Sequence, residues 1–280
     1  MVDAVAVLAR ALSFIALFQA AGGALFVTLF GSRLAACTSR IKQVGRIATV
    51  GAALLLMVHF ALETARLAGN FSGLWDRQLQ QLLWQSALGT SLRLQLAGLL
   101  LVLVGLYGSR TLSVLGILVV VAAFATLGHT VDHPHRAVLA ALLVIHLLSI
   151  VFWFGALWPL RQVVMRETPA SAAAVLERFS RLAIWIVPAL LLAGATLVVL
   201  LVPGLAVFAT PYGELLLAKM LGFAVLMYFA ALNKLRLTPA LGRNDVGAAQ
   251  RLRRTLLLEY LLIGAVLVIT AFMTGLYSPD

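Results

Sequence analysis

Apolar runs of about twenty residues recur along this 280-residue chain, and short arginine-bearing loops separate them. A helix needs about 20 apolar residues to cross a hydrocarbon core of about 30 Å. Lipid leaves no water to satisfy backbone N–H and C=O groups, so a spanning segment must be a helix or a strand of a closed barrel. Runs of this length are far too long for barrel strands. About eight meet the criterion: Val5–Phe30, Val44–Leu67, Ser91–Tyr107, Leu112–Val131, Ala137–Leu160, Leu182–Val202, Glu214–Leu235 and Thr255–Tyr277. The stretch Trp75–Gly89 fits a partly helical interfacial segment ahead of the third run. The sequence therefore predicts an all-α fold, a polytopic transmembrane helix bundle of about eight helices in a single membrane domain, residues 1–280. A chain that is 62% hydrophobic and 11% charged has too little polar surface for a soluble domain of this length.

The formal net charge is +11, from 21 Lys+Arg against 10 Asp+Glu. In a soluble protein that balance would suggest nucleic acid. Here the basic residues fall in alternate loops, so the bilayer is the expected partner and nucleic acid is not. The first loop carries Arg33, Arg40, Lys42 and Arg46, and the third Arg110. The fifth carries Arg161, Arg166, Arg178 and Arg181. The seventh carries Lys234, Arg236, Arg243, Arg251, Arg253 and Arg254. The positive-inside rule places these odd loops in the cytoplasm and both termini outside. Cys37, the single cysteine, then lies in the reducing compartment and forms no intrachain disulfide. The first run is expected to be a retained span, since it lacks the short core and small-residue cleavage site of a leader.

All five histidines fall near the outer side in this orientation. His129, His133 and His135 crowd into GHTVDHPHR at the outer end of the fourth run, with Asp132 among them. On the fifth run His146 lies about 13 Å deep, and on the second His59 lies about 12 Å deep, at 1.5 Å per residue. Glu63 stands four residues above His59 on the same helix face. Imidazole is the commonest protein metal ligand, and ionisable groups within a membrane usually mark a functional site. The candidate metal ligands are therefore His129, Asp132, His133 and His135 in the loop, with His146 and His59 deeper. Met220 and Met273 are softer candidates, because thioethers suit Cu(I). Each group also has an ordinary reading: a hydrated loop, histidines hydrogen-bonded between helices, and methionines filling a core. Trp153 lies on the stripe of His146 and would floor its site. Lys219 would snorkel or pair with an acid, and Glu259 is expected at the cytoplasmic interface. No nucleotide loop, zinc-protease helix or nucleophile elbow is present, so no enzyme activity is expected. Paired histidines on facing helices also ligate haem, which keeps open a b-type membrane cytochrome or a quinone-linked oxidoreductase.

The two halves, residues 1–131 and 132–280, share a layout of helix, basic loop, helix, long outer loop, helix, short inner loop, helix. LARALSFIALFQAAGGALF loosely echoes LLVIHLLSIVFWFGALW, as in a 4+4 parallel internal repeat.

Three stretches occur in order: GHTVDHPHRAVLAALLVIHLLSIVFWFGALWPL, RFSRLAIWIVPALLLAGATL and TPYGELLLAKMLGFAVLMYFAALNKLRLTPAL. Together they resemble the copper resistance protein D (CopD) family of bacterial inner-membrane proteins. The resemblance covers about Gly128 to Leu241, and the first half shares only the layout. It implies a copper-binding protein of the bacterial inner membrane, with its histidine cluster on the periplasmic side. Such a protein would take copper from the periplasm and carry it across the membrane, contributing to copper uptake and resistance. It also implies a periplasmic copper-binding C-type protein as partner, separate here because no such domain is expected within the chain. The matching positions are His129, His146, Trp153, Gly155, Tyr212, Gly213 and Lys219.

Orientation is tested by cysteine labelling. A cysteine introduced at Gly242 is expected to resist impermeant reagents added from outside, and one at Ser278 is expected to react. The reverse pattern would invert the topology.

Overall fold

Apolar helices in lipid gain nothing by hiding hydrophobic surface from one another, so their packing follows close backbone approach and a few polar contacts. In the computed structural model, which describes residues 2–127, 134–202 and 204–277, the described residues form helices and no strand. The order is α1 (Val2–Phe30), α2 (Thr38–Ala68), α3 (Arg77–Gln85), α4 (Ala87–Gly105), α5 (Arg110–Ala122), α6 (Arg136–Arg166), α7 (Pro169–Leu201), α8 (Pro211–Leu232), α9 (Thr238–Gly242) and α10 (Ala248–Leu276). A π-helical turn, Asn233–Leu237, joins α8 to α9.

The bundle is organised on α1 and α6, whose sequences echo each other. α1 packs against α2, α4, α5, α6 and α10, and α6 packs against α1, α5, α7 and α10. Where α1 crosses α6, Gly22 lies against Gly155, so near that a Cβ on either would overlap the backbone of the other. A second glycine pair sets α4 on α5: a Cβ on Gly116 would meet Gly98 O at 2.6 Å, and one on Gly98 would meet Gly116 O at 2.8 Å. Next to the first crossing, three successive residues of α6 reach three helices. Phe152 stacks on Phe179 of α7 at 4.9 Å, Trp153 meets Phe223 of α8 edge-on at 6.0 Å, and Phe154 stacks on Tyr260 of α10 at 4.8 Å. That fan follows from 3.6 residues per turn.

Among the described residues, seven helices are long and apolar enough to cross a membrane, against about eight expected. The eighth candidate, the fourth run, is shorter than its expected extent Leu112–Val131. Its α-helix ends at Ala122 and tightens into a 3-10 turn, Ala123–Thr126. The Ala123 carbonyl there accepts from the Ser91 hydroxyl of α4 at 2.9 Å and from Thr126 at 2.8 Å. Arg110–Thr126 is about 27 Å long, a little under the core thickness. The expected interfacial segment before the third span is α3. Asp76 caps it, accepting from Gln78 N at 2.9 Å and Leu79 N at 3.1 Å, and Ser86 caps α4 directly after it.

The loops joining α1 to α2 and α6 to α7 are tied together. Glu167 Oε1 accepts from the backbone N–H of Ala36 at 2.8 Å and of Cys37 at 3.1 Å. Partial burial would raise the Glu167 carboxyl, but these donors outweigh it and hold the group below its ordinary value. Burial, helped by Glu167, pushes the Cys37 thiol up to about 12, so it stays an inert neutral thiol.

Overpacking a tight core contact costs about 1–3 kcal/mol or more. Gly155→Ala is therefore expected to lower the thermal unfolding midpoint in detergent by several degrees. Gly51→Ala, where an added Cβ has open space, is expected to leave it unchanged. Equal midpoints would remove the crossing from its central role.

Candidate functional site

The start of α1, the end of α2 and the end of α10 lie together on one face of the bundle, here the terminal face. The opposite, basic face carries the arginine-bearing loops. Of the loop cluster, His135 is described: it is exposed and stands at the N-cap of α6. His129, Asp132 and His133 lie outside the described residues.

His146 lies ten residues into α6, about 15 Å along its axis. Its Nδ1 is 3.2 Å from the carbonyl of Leu190 on α7. A carbonyl can only accept, so Nδ1 carries the hydrogen and Nε2 the lone pair. Backbone fixing of one ring nitrogen is how proteins aim the other at a ligand. Gly194 makes the fit possible, since a Cβ there would stand 3.1 Å from His146 Cε1. From α8, the charge of the half-buried Lys219 acts on the imidazole.

His59 lies in different company. Its Nδ1 is 3.6 Å from Glu63 Oε1 and has no hydrogen-bond partner. Arg66 binds both Glu63 oxygens at 3.0 and 3.1 Å, Asp3 at 3.1 Å and the carbonyl of Gly275 at 3.1 Å. Arg10 donates to Thr274 O at 3.2 Å. The charges of Arg10 and Arg66 both act on His59. These groups tie the terminal-face ends of α1, α2 and α10 together.

His59 and His146 have different surroundings: α1 packs against both α2 and α6, and the described partners of the two imidazoles share no residue. Met220 is 57% exposed on α8, and Met273 is buried near the end of α10. Among the described residues, no three His, Cys, Asp or Glu side chains group closely enough to hold a metal ion.

Glu259 corrects an expectation. It does not lie at an interface but is 2% exposed within the bundle. Its Oε2 accepts from the Trp153 indole N–H at 3.4 Å, and its Oε1 accepts from Asn233 Nδ2. Thr255 in turn donates to Asn233 Oδ1 at 2.5 Å. Trp153 thus faces α8 and α10 and binds a carboxylate. The sequence reading missed Leu190, Gly194, Asn233 and Thr255. Gly194 and Asn233 each left a signal, a small or polar residue interrupting an apolar run.

Long apolar helices with ionisable groups inside their spans define a polytopic membrane protein. Residues 1–135 match the copper resistance protein D-like N-terminal domain, and residues 173–273 match copper resistance protein D. The chain belongs to the copper resistance protein D family, and its role lies in copper resistance and transport. The first match extends the family through the half that resembled it only in layout. Residues 136–172 lie between the two matches, so His146, Trp153 and Gly155 belong to neither, while His59 and the loop histidines fall in the first. No curated protein and no solved structure matches the chain.

The seat of His146 depends on Gly194. Gly194→Ala is expected to lengthen or break the bond to Leu190. Nitrogen NMR of the labelled imidazole should then change from a single Nδ1–H tautomer to a mixture. An unchanged spectrum would show that the helices yield and the tautomer is not held by this contact.

Proposed function

We propose that this protein takes copper from the periplasm and carries it across the bacterial inner membrane, with His146 as its intramembrane ligand. The observation that carries the proposal is the pinned imidazole: a histidine inside a membrane helix, its Nδ1 committed to Leu190, which puts the lone pair on Nε2, in a copper resistance family. His129, His133 and His135, with Asp132, form the capture site at the periplasmic surface in this proposal. The arginine excess on the basic face supports placing that face in the cytoplasm. A separate periplasmic copper-binding protein of the C type is the proposed donor.

Lys219 tunes the inner stage. A cation on His146 Nε2 meets the field of a nearby ammonium, which weakens binding. Transport needs that, since a site must release its ion as well as hold it. His59, beside two guanidinium groups, is a poorer seat for a cation, and we assign it to the packing of α2 on α1. Met273 and Met220 lie apart from His146 in sequence and exposure, and serve as softer stations only if the histidine site fails.

His146→Ala or His129→Ala is expected to weaken copper binding at least tenfold, about 1.4 kcal/mol. Imidazole must be neutral to bind a metal, so protons compete with copper. Affinity of the unmodified protein should fall as the pH is lowered and protons displace copper from the imidazoles. Purified protein that binds no stoichiometric copper would end the proposal. A flat pH profile would reject the histidines and promote Met273 and Met220, because thioethers do not titrate.

A further inference from the structure

The carboxylate of Glu259 is unused by the copper site and is expensive where it lies. It sits eleven residues into α10, about 17 Å from the helix start, and is 2% exposed. An ionised carboxylate at such depth costs several kcal/mol unless something balances it. Nothing described does so. Glu259 takes part in no ion pair among the described residues. The elements packed against this part of α10 carry Asp3 and Arg10 on α1, Arg136, His146, Arg161 and Arg166 on α6, Glu214 and Lys219 on α8, and Lys234 and Arg236 on the π-helical turn. α10 itself adds Arg251, Arg253, Arg254 and Tyr260. None of them forms an ion pair with Glu259; what is hydrogen-bonded to it is the Trp153 indole and the Asn233 amide.

The carboxylate is nevertheless connected to solution. A cavity of about 480 Å³ opens beside the π-helical turn, lined by Arg236, Arg251, Arg254 and Thr255 among others. Thr255 is both a wall of that cavity and part of the cluster, through its hydrogen bond to Asn233. A chain of hydroxyl, amide and carboxylate thus runs from the basic face into the bundle. The π-helical turn supplies Asn233, and such turns interrupt the regular hydrogen-bond ladder, often at functional sites.

The species that fits is the proton. Both carboxylate oxygens already accept from N–H donors, which leaves a poor ligand set for a metal ion. Three arginines at the cavity repel a divalent or monovalent metal by field alone. A proton instead adds to one oxygen of the carboxylate, cancels the charge and forms a neutral acid, which still accepts at its other oxygen.

We infer that Glu259 is a proton-binding site that exchanges its proton with solution on the basic face, through the cavity at Thr255. Resting on the transport reading above, it follows that copper and the proton move in linked steps: protonation removes the buried negative charge, and its loss restores that charge while the cation is inside. No electron changes hands, and the proton comes from and returns to water.

Infrared difference spectroscopy on the full chain in lipid vesicles tests this, with the glutamates isotopically labelled. The parent is expected to show a protonated glutamic-acid carbonyl band that fades as pH is raised, and Glu259→Gln is expected to lack it. Thr255→Val, which keeps the carboxylate but removes the hydroxyl from the cavity wall, should slow deuterium exchange of that acid several-fold. Copper affinity should match the parent in both variants, and Glu259→Gln should lose the dependence of copper uptake on a pH gradient. A parent without a titrating glutamic-acid band overturns the site. The same holds if Glu259→Gln retains that band. Unchanged exchange in Thr255→Val overturns the route. If the band titrates and vesicles take up no copper, the transport reading fails and the proton site stands.

Discussion

The contact between Gly22 and Gly155 fixes the rest of the bundle. Two helices that meet backbone to backbone leave no room for side chains between them, and lipid-embedded helices associate chiefly through such packing. The crossing also sets which way α6 looks. Each residue advances about 100° around a helix. Gly155 faces α1, so His146, nine residues earlier, points about 180° away and meets α7. Trp153, on the His146 stripe, turns to α8 and α10. One small-residue contact therefore places the His146 imidazole and the indole that holds Glu259 on the far side of α6 from α1.

His59 and His146 lie at similar depth along their helices, and depth was all the sequence could supply. Their helices both pack against α1, and their described partners differ. Each solves the cost of a polar ring in the membrane in its own way. His59 joins a network with Glu63, Arg66, Asp3 and Arg10 that clamps three helix ends. His146 takes a backbone carbonyl opened to it by Gly194. The first arrangement is crowded with charge; the second fixes the ring through one nitrogen and puts the lone pair on the other. Chemistry that binds a cation follows the second.

Glu259 completes a polar line along one side of α6. His146 and Trp153 are seven residues apart, about 10 Å, and the carboxylate hangs from the indole. Such a line through an apolar bundle gives a charge two low-lying positions, one near each face. Its ends differ in kind: an imidazole nitrogen toward the terminal face and a carboxylate toward the basic face.

The sequence by itself determined the class of structure. Run length and the absence of water in lipid force helices, and the alternation of arginine between loops orders the faces. It also named the ionisable residues worth attention, because a histidine or glutamate in an apolar run stands out. The residues GHTVDHPHR through LNKLRLTPAL were enough to suggest copper. What only the tertiary structure decided was rotation and partnership. Nothing in the one-dimensional pattern tells which face of α6 meets α1, since an all-round apolar helix has no stripe to read. That choice rests on two glycines from distant parts of the chain. It made Glu259 a buried group rather than an interfacial one, and it gave different partners to two histidines that equal depth had seemed to pair.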